Sequence, residues 1–332
     1  MSSPFTFHGG DLASARARFG GKAGDWIDLS TGINPSAWPG AGNAAIDWRA
    51  LPDRAALADL EQRAARHFGV SPALCRAVPG SEAGLRLLAP LLDLPGRHRA
   101  LSYRSHADAF EHAAPLSAQG DLPRSASTLV LANPNNPDGT VTAPGDILAT
   151  LGHQEAHGGW LIVDEAFADC SPEISVAALV AEGRRLIVLR SFGKFFGLAG
   201  LRLGFVIAPQ ALLARLGQRM GDWPVNAAAL ALGAAAYADH AWIAATRAAL
   251  PGRAAAVDGV LARHGLVAEG ACPLFRLVRT PRARGLFAGL AQRHILTRPF
   301  AERAELLRLG LPGDAAALDR LDAALGAVLA DG

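Results

Sequence analysis

The chain has 332 residues, half of them hydrophobic and 19% charged, with a formal net charge of +2; it is longer than one core comfortably supports, so a compact soluble globule of two domains is expected. The arginines are dispersed, no basic run or nucleic-acid motif occurs, and no apolar stretch reaches about 18 residues, which argues against nucleic acid or a membrane as partner. The first residues carry neither a cationic n-region nor an apolar h-region, and Cys75, Cys170 and Cys272 lack paired spacing, so a cytoplasmic protein without a disulfide framework or a metal site is expected.

In chain order, residues 1–40 are rich in Gly, Pro and Ser and read as an N-terminal arm, with "HGGD" and "DLSTGINP" as loops around a short strand, Trp26 to Leu29. Leu57, Leu60, Ala64 and Phe68 have helical spacing, and Gly69 ends that helix. "VPGSEAGLRLLAPLL" turns through Pro79 and Gly80 into a second helix, with Ser81 as its expected N-cap and Glu82 in its first turn. Three continuous apolar runs follow, "TLVLA" (128–132), "WLIVD" (160–164) and "RLIVLRS" (185–191). They are expected to be strands buried on both faces of a mostly parallel sheet. "PGDILATLGHQEAHGG" supplies the helix of a βαβ unit. "LGFVIA" (203–208) is a further strand whose direction the pattern leaves open. From Pro224 onward the chain is Ala-rich and helical, with Pro251 expected to interrupt it. After about residue 253 the rhythm becomes that of a smaller α+β domain. The expected domains are the arm, a large domain over 41–240 and a small one over 241–332.

Lys194 is one of only two lysines, the other being Lys22; the remaining 30 basic side chains are arginine. A guanidinium stays protonated, whereas a desolvated lysine can lose its proton and attack a carbonyl to form a Schiff base. Lys194 ends a Ser191-x-x-Lys194 spacing after a buried strand, among Phe192, Phe195, Phe196, Gly193 and Gly197. Ser191 and Arg202 are within reach of an anion beside it. Asp164 ends the second strand, where α/β sheets place their ligands, and a carboxylate there can keep a pyridinium nitrogen protonated. "NPNNPDGT" at the end of the first strand is a Pro-constrained loop able to aim an Asn side chain. Each stretch has a plainer reading: a Gly-rich loop with one snorkelling lysine, an Asp capping a turn, and an ordinary turn.

Together, "NPNNPDG", "VDEAF" and "SFGKFFGLAGLRLG" resemble, in order and spacing, the class I/II aminotransferase superfamily of fold type I pyridoxal phosphate enzymes. The resemblance implies an α/β PLP-dependent transferase fold, with a large mostly parallel-sheet domain and a smaller α+β C-terminal domain. "HGGD", "DLSTGINP", "PGSEAGL", "PLFRLVR" and "LRLGLPGD" further resemble its threonine-phosphate decarboxylase branch, which is close to histidinol-phosphate aminotransferase. By position, the resemblance implies that Lys194 carries the cofactor, Asp164 partners the pyridine nitrogen and Asn136 bonds the ring hydroxyl. Ser191, Arg202 and the backbone N–H groups of Ser81 and Glu82 would hold the phosphate, and His106 would stack on the ring. Arg308 would clamp the substrate α-carboxylate, and His8 or Arg298, with Gly32 and Asn34 in the Ser30 to Asn34 loop, would read a second anion.

This sequence departs from the superfamily pattern at two further places. Phe167 stands where a Tyr is usual, and Leu51 falls near the Tyr that commonly reaches the neighbouring subunit. A homodimer acting on a phosphorylated amino acid is implied. Decarboxylation and histidinol-phosphate-type transamination both use the same Lys, Asp and Asn, so the core motifs do not choose between them. The alternative of another class is a non-catalytic scaffold that binds a ligand or partner. Plainer readings of the substrate residues are that His8 bonds the arm and that Arg298 pairs with Glu302 one helical turn on.

Overall fold

The three continuous apolar runs form the middle of a seven-stranded sheet in the computed structural model, which describes residues 4–6, 8–117 and 120–330. Its strands in chain order are β1 (Cys75–Val78), β2 (Gly96–His98), β3 (Ala113–Pro115), β4 (Thr128–Ala132), β5 (Trp160–Asp164), β6 (Leu186–Ser191) and β7 (Gly204–Ile207). In space they run β1-β7-β6-β5-β4-β2-β3. Pairing is parallel from β6 through β3, and β7 is antiparallel to both β6 and β1. The connection into β7, Phe192 to Leu203, holds only two short helical turns, Phe192–Phe195 and Ala199–Leu201, and not the long helix that usually carries a chain over to a parallel neighbour. All five residues of β4 are buried, as are the last four of β5. Val78, Val130, Ile162, Ile187 and Val206 share one core cluster with Leu85 and Leu88 of the helix Ser81–Leu92 and Leu212 and Leu216 of the helix Gln210–Met220. Burying each such side chain fully contributes about 1.5–3 kcal/mol.

By backbone contacts the chain divides into two units. The larger comprises Ala37–Asn136 and Thr140–Arg247, and the smaller Met1–Ser36, Pro137–Gly139 and Ala248–Gly332. In the smaller unit, the short strand read near Trp26 is Ile27–Asp28, and it pairs in parallel with Ile295–Leu296. Phe275–Arg279 and Leu306–Gly310 pair antiparallel at the centre of a second, four-stranded sheet. Phe5, Phe19, Trp26 and Phe287 cluster in the same unit, with Phe5 and Phe287 centroids 5.4 Å apart.

Three local expectations are corrected. Ser81 is the first helical residue rather than the N-cap; Gly80 takes the cap position with φ 99° and no capping side chain. Pro251 does not interrupt the helix, which runs from His240 to Arg263; a proline removes one ladder hydrogen bond, and the rest of the long helix carries through. Arg298 lies in a strand, Arg298–Pro299, so no helical turn brings it to Glu302. Its guanidinium sits 5.4 Å from the Phe300 ring centroid.

Candidate active site

Asp164 is the last residue of β5, in register with Ala132 of β4 and Leu189 of β6. Parallel pairing therefore aligns three carboxyl ends, from which the Asn133–Asn136 loop, Asp164 and Ser191 emerge side by side. The Asp164 backbone carbonyl accepts the Asn133 N–H at 2.9 Å. Asn133 bonds Thr142 through both ends of its amide, at 3.1 and 2.9 Å, and Asn135 donates to the Leu101 carbonyl at 3.0 Å. Those two amides brace the loop, and Asn136 follows at its half-buried end.

Lys194 lies in a four-residue helix, Phe192–Phe195, directly after β6. Phe192, Phe195 and Phe196 are fully buried, with Phe192 and Phe196 stacked at 4.4 Å and Phe196 stacked on Trp242 at 5.5 Å. Gly193 is required here, because a Cβ would come within 2.6 Å of the Ala199 Cα.

Behind this turn lies a buried ionic network that sequence reading did not find. Arg190, next to Ser191, donates to Glu165 at 2.7 Å and to Asp169. Glu165, next to Asp164, accepts from Ser175 Oγ and from the Val176 N–H, both at 2.6 Å. His67 Nε2 lies 3.0 Å from Asp169, and the Arg190 guanidinium stands 4.6 Å from the Phe68 ring centroid. Burial alone would raise the Asp169 pKa, but Arg190 and His67 outweigh it and hold the carboxyl well below the usual range. The network ties the ends of β5 and β6 together. Its only signal was Glu165 and Asp169, two of the three acids in "DEAFAD", and an arginine near the end of an apolar strand.

The helix Ser81–Leu92 points its N-terminus at a cradle. A Cβ on Gly80 would lie 2.7 Å from Arg202 Nη2, and one on Gly204 would overlap the Ser81 nitrogen. Two glycines thus let a guanidinium and a helix N-terminus converge, an arrangement that favours an anion. Arg202 adopts φ 55° to get there. Glu82 opposes its own burial through hydrogen bonds from Ser105, Arg86 and Tyr103, which hold its carboxyl below the usual range. The Ser105 bond is 2.8 Å and the Tyr103 bond 3.2 Å. They fix the short helix Ser105–Asp108 that carries His106. That histidine is fully buried, with Nε2 3.1 Å from Asp164 Oδ2.

In the smaller unit, three stretches distant in sequence meet at Ser30. Arg308 Nη2 donates to the Ser30 carbonyl at 2.9 Å, Gly10 N–H donates to Ser30 Oγ at 2.7 Å, and Asp28 accepts from that same hydroxyl at 2.5 Å. A side chain on Gly9 would overlap the Ser30 carbonyl oxygen, and one on Gly310 the Thr31 carbonyl oxygen. "HGGD", "STGINP" and "LRLGLPGD" are therefore parts of one assembly. Arg308 is 4% exposed and stands 5.2 Å from the Phe275 ring centroid. Gly32 and Asn34 are buried in the loop, whereas His8 is exposed.

A family model described as aminotransferase class I and II matches residues 102–325. The chain belongs to this family, and it is a pyridoxal-phosphate-dependent enzyme of the type I fold. It is 42% identical to a threonine-phosphate decarboxylase of Sinorhizobium sp, covering 98% of each chain. It is 41% identical to the threonine-phosphate decarboxylase of Pseudomonas aeruginosa, covering 96% of each. A solved histidinol-phosphate aminotransferase from Sinorhizobium meliloti in complex with pyridoxal-5'-phosphate shares the fold. Its TM-score is 0.83 at 20% identity, over 99% of this chain and 98% of that one.

The residues present fit that cofactor. The glycine-lined cradle of Gly80 and Gly204 faces Arg202 and a helix N-terminus and suits a phosphate, while the Asp164 carboxylate suits a protonated ring nitrogen. Sequence reading took Gly80 only as a turn residue and did not single out Gly204. The glycines in "VPGS" and "LRLGF" were their only trace.

Proposed function

We infer that this chain decarboxylates L-threonine O-3-phosphate to 1-amino-2-propanol phosphate, a step of cobalamin biosynthesis. The observation that carries this reading is its similarity, over nearly the whole chain, to two threonine-phosphate decarboxylases. The assembly of "HGGD", "STGINP" and "LRLGLPGD" around Ser30 supports it.

Pyridoxal phosphate, when bound, supplies an electron sink for the pair left behind as the carboxylate departs. Lys194 provides the amine that fixes the cofactor and the proton that replaces carbon dioxide. Asp164 would hold a proton on the ring nitrogen, and Asn136 would donate to the ring hydroxyl. Arg202, Ser191 and the Ser81 and Glu82 N–H groups would bind the phosphate, and His106 would lie against the ring. Arg308 grips the substrate α-carboxylate, and Arg298 and His8, with Gly32 and Asn34, recognise the substrate phosphate. Decarboxylation and transamination would use the same Lys194, Asp164 and Asn136, so the residues that orient the substrate carboxylate, Arg308 among them, would select between the two.

The protein works in the cytoplasm as a homodimer. Supporting the dimer, the larger unit exposes Trp48, Leu51 and Trp223, which are 74%, 67% and 55% accessible. No helix among the described residues is long and apolar enough to cross a membrane. Sedimentation that finds a fully active monomer would refute the dimer.

The deciding experiment incubates the loaded enzyme with phosphothreonine and measures carbon dioxide and aminopropanol phosphate, beside a parallel assay with histidinol phosphate and 2-oxoglutarate. Glutamate formation without carbon dioxide would replace the decarboxylase reading with the aminotransferase one.

A further inference from the structure

We propose that Arg253 is a positioning residue of the substrate site, a clasp that ties the exit of the Ser30–Ser36 loop to the Pro312–Gly313 turn and so keeps the two stretches that read the substrate at one spacing. The proposal rests on the functional reading above for the substrate, and on this chain's own hydrogen bonds for the clasp.

Arg253 lies in the helix His240–Arg263, in the part that belongs to the smaller unit. Its Nη1 donates to Ser36 Oγ at 2.7 Å, and its Nη2 donates to the carbonyls of Pro312 and Gly313 at 2.8 and 2.9 Å. Ser36 is gripped a second time from within its own loop, because its N–H donates to Asn34 Oδ1 at 3.0 Å. Asn34 is buried. Ser36 therefore links the guanidinium to a side chain proposed for the substrate phosphate.

The entry of the same loop is held by a different element. Gly310 N–H donates to the Leu29 carbonyl at 2.7 Å, and Arg308 donates to the Ser30 carbonyl at 2.9 Å. Both donors belong to the strand Leu306–Gly310, which runs on into Pro312 and Gly313. The strand thus fixes where the loop begins, and Arg253 fixes where it ends, against the turn that follows the strand. A loop released at its exit would regain conformational freedom that substrate binding must then remove, which weakens binding without touching the chemical step.

A guanidinium suits this task because its planar fork addresses two directions at once, a hydroxyl with one Nη and two carbonyls with the other. A lysine keeps the charge at a single point and does not span both stretches. A methionine keeps much of the stem and makes neither bond. Clasp and bare charge therefore separate by substitution.

The test has two arms. In the purified chain without substrate, hydrogen exchange read by mass spectrometry should be faster in Arg253→Met than in the wild type over residues 31–36 and 313–314, with the strand Leu306–Gly310 unchanged. Ser36→Ala removes only an exposed hydroxyl, and it should quicken exchange over residues 31–36 with no risk to the core. Equal exchange in the wild type and both variants would overturn the proposal. In the enzyme loaded with pyridoxal phosphate, Arg253→Met should raise KM for phosphothreonine about tenfold, the lower end for a charge-assisted hydrogen bond, and leave kcat unchanged. Arg253→Lys should recover little of that loss. Adding Ser36→Ala to Arg253→Met should change KM little further, because both remove the same bond. Full recovery by the lysine, or a fall in kcat with KM unmoved, would overturn the proposal. A wild-type enzyme that does not turn over phosphothreonine would instead refute the functional reading, and hydrogen exchange would still decide the clasp.

Discussion

Arg308 donates to the backbone carbonyl of Ser30 across 2.9 Å, joining residues 278 positions apart. That carbonyl is also the group a side chain on Gly9 would strike, so the HGG stretch, the Ser30 loop and the arginine share one geometry. Gly9→Ala should displace the carbonyl and re-aim the guanidinium. Losing a charge-assisted contact costs roughly 1.5–3 kcal/mol. We therefore expect kcat/KM for phosphothreonine to fall roughly ten- to hundredfold, mainly through KM, with the fold intact by circular dichroism. An unchanged KM would show that Gly9 does not govern Arg308.

Arg298 gives a sharper discrimination. Under the proposed role, Arg298→Ala should weaken phosphothreonine by roughly 1.5–3 kcal/mol and leave unphosphorylated threonine almost unaffected. Parallel calorimetric titrations compare the two ligands. Equal losses for both would remove Arg298 as the phosphate reader.

Borohydride reduction of the protein loaded with pyridoxal phosphate should fix the label on Lys194 and leave Lys22 unmodified, as peptide mapping will report. Lys194→Arg keeps the positive charge but provides no nucleophilic amine and no transferable proton. Its activity should drop by at least about a hundredfold, the lower end of a proton-transfer contribution.

Arg190 bridges Glu165 and Asp169 in the interior. Arg190→Met would leave two carboxylates buried without their shared cation, and breaking a buried pair in this way costs about 3–5 kcal/mol. Urea denaturation should show that loss. A change below about 1 kcal/mol, the range of an exposed pair, would mean that solvent reaches the network.

The same network gives a pH dependence. The Asp169 carboxyl is depressed in the folded state below its ordinary value of 3.8. Its contribution to stability is therefore present above about pH 4 and is lost as the pH falls from there toward the folded-state value. Stability measured between about pH 5 and pH 2 should decline more steeply in the wild type than in Asp169→Asn. Equal slopes would assign the acid sensitivity to other carboxylates.

Local chemistry made part of this protein legible in the sequence. Continuous apolar runs identified β4, β5 and β6, because strands covered on both faces need no polar alternation. The scarcity of lysine singled out Lys194, and motif order linked it to Asp164 and the Asn136 loop. Tertiary structure decided the rest, because those contacts join residues that no local period relates. The antiparallel direction of β7 depended on how the Phe192–Leu203 turn folds back. Gly80 rather than Ser81 is the helix cap, and Arg202 occupies the space a Cβ on Gly80 would need. His106 is buried against Asp164, and Glu82 anchors the residue before it, Ser105, from another helix. Arg190 looked like one more dispersed arginine, yet two acids 21 and 25 residues away enclose it. A sequence shows which groups are available; only packing decides which of them are desolvated together, and desolvation gives a buried charge or hydrogen bond its strength.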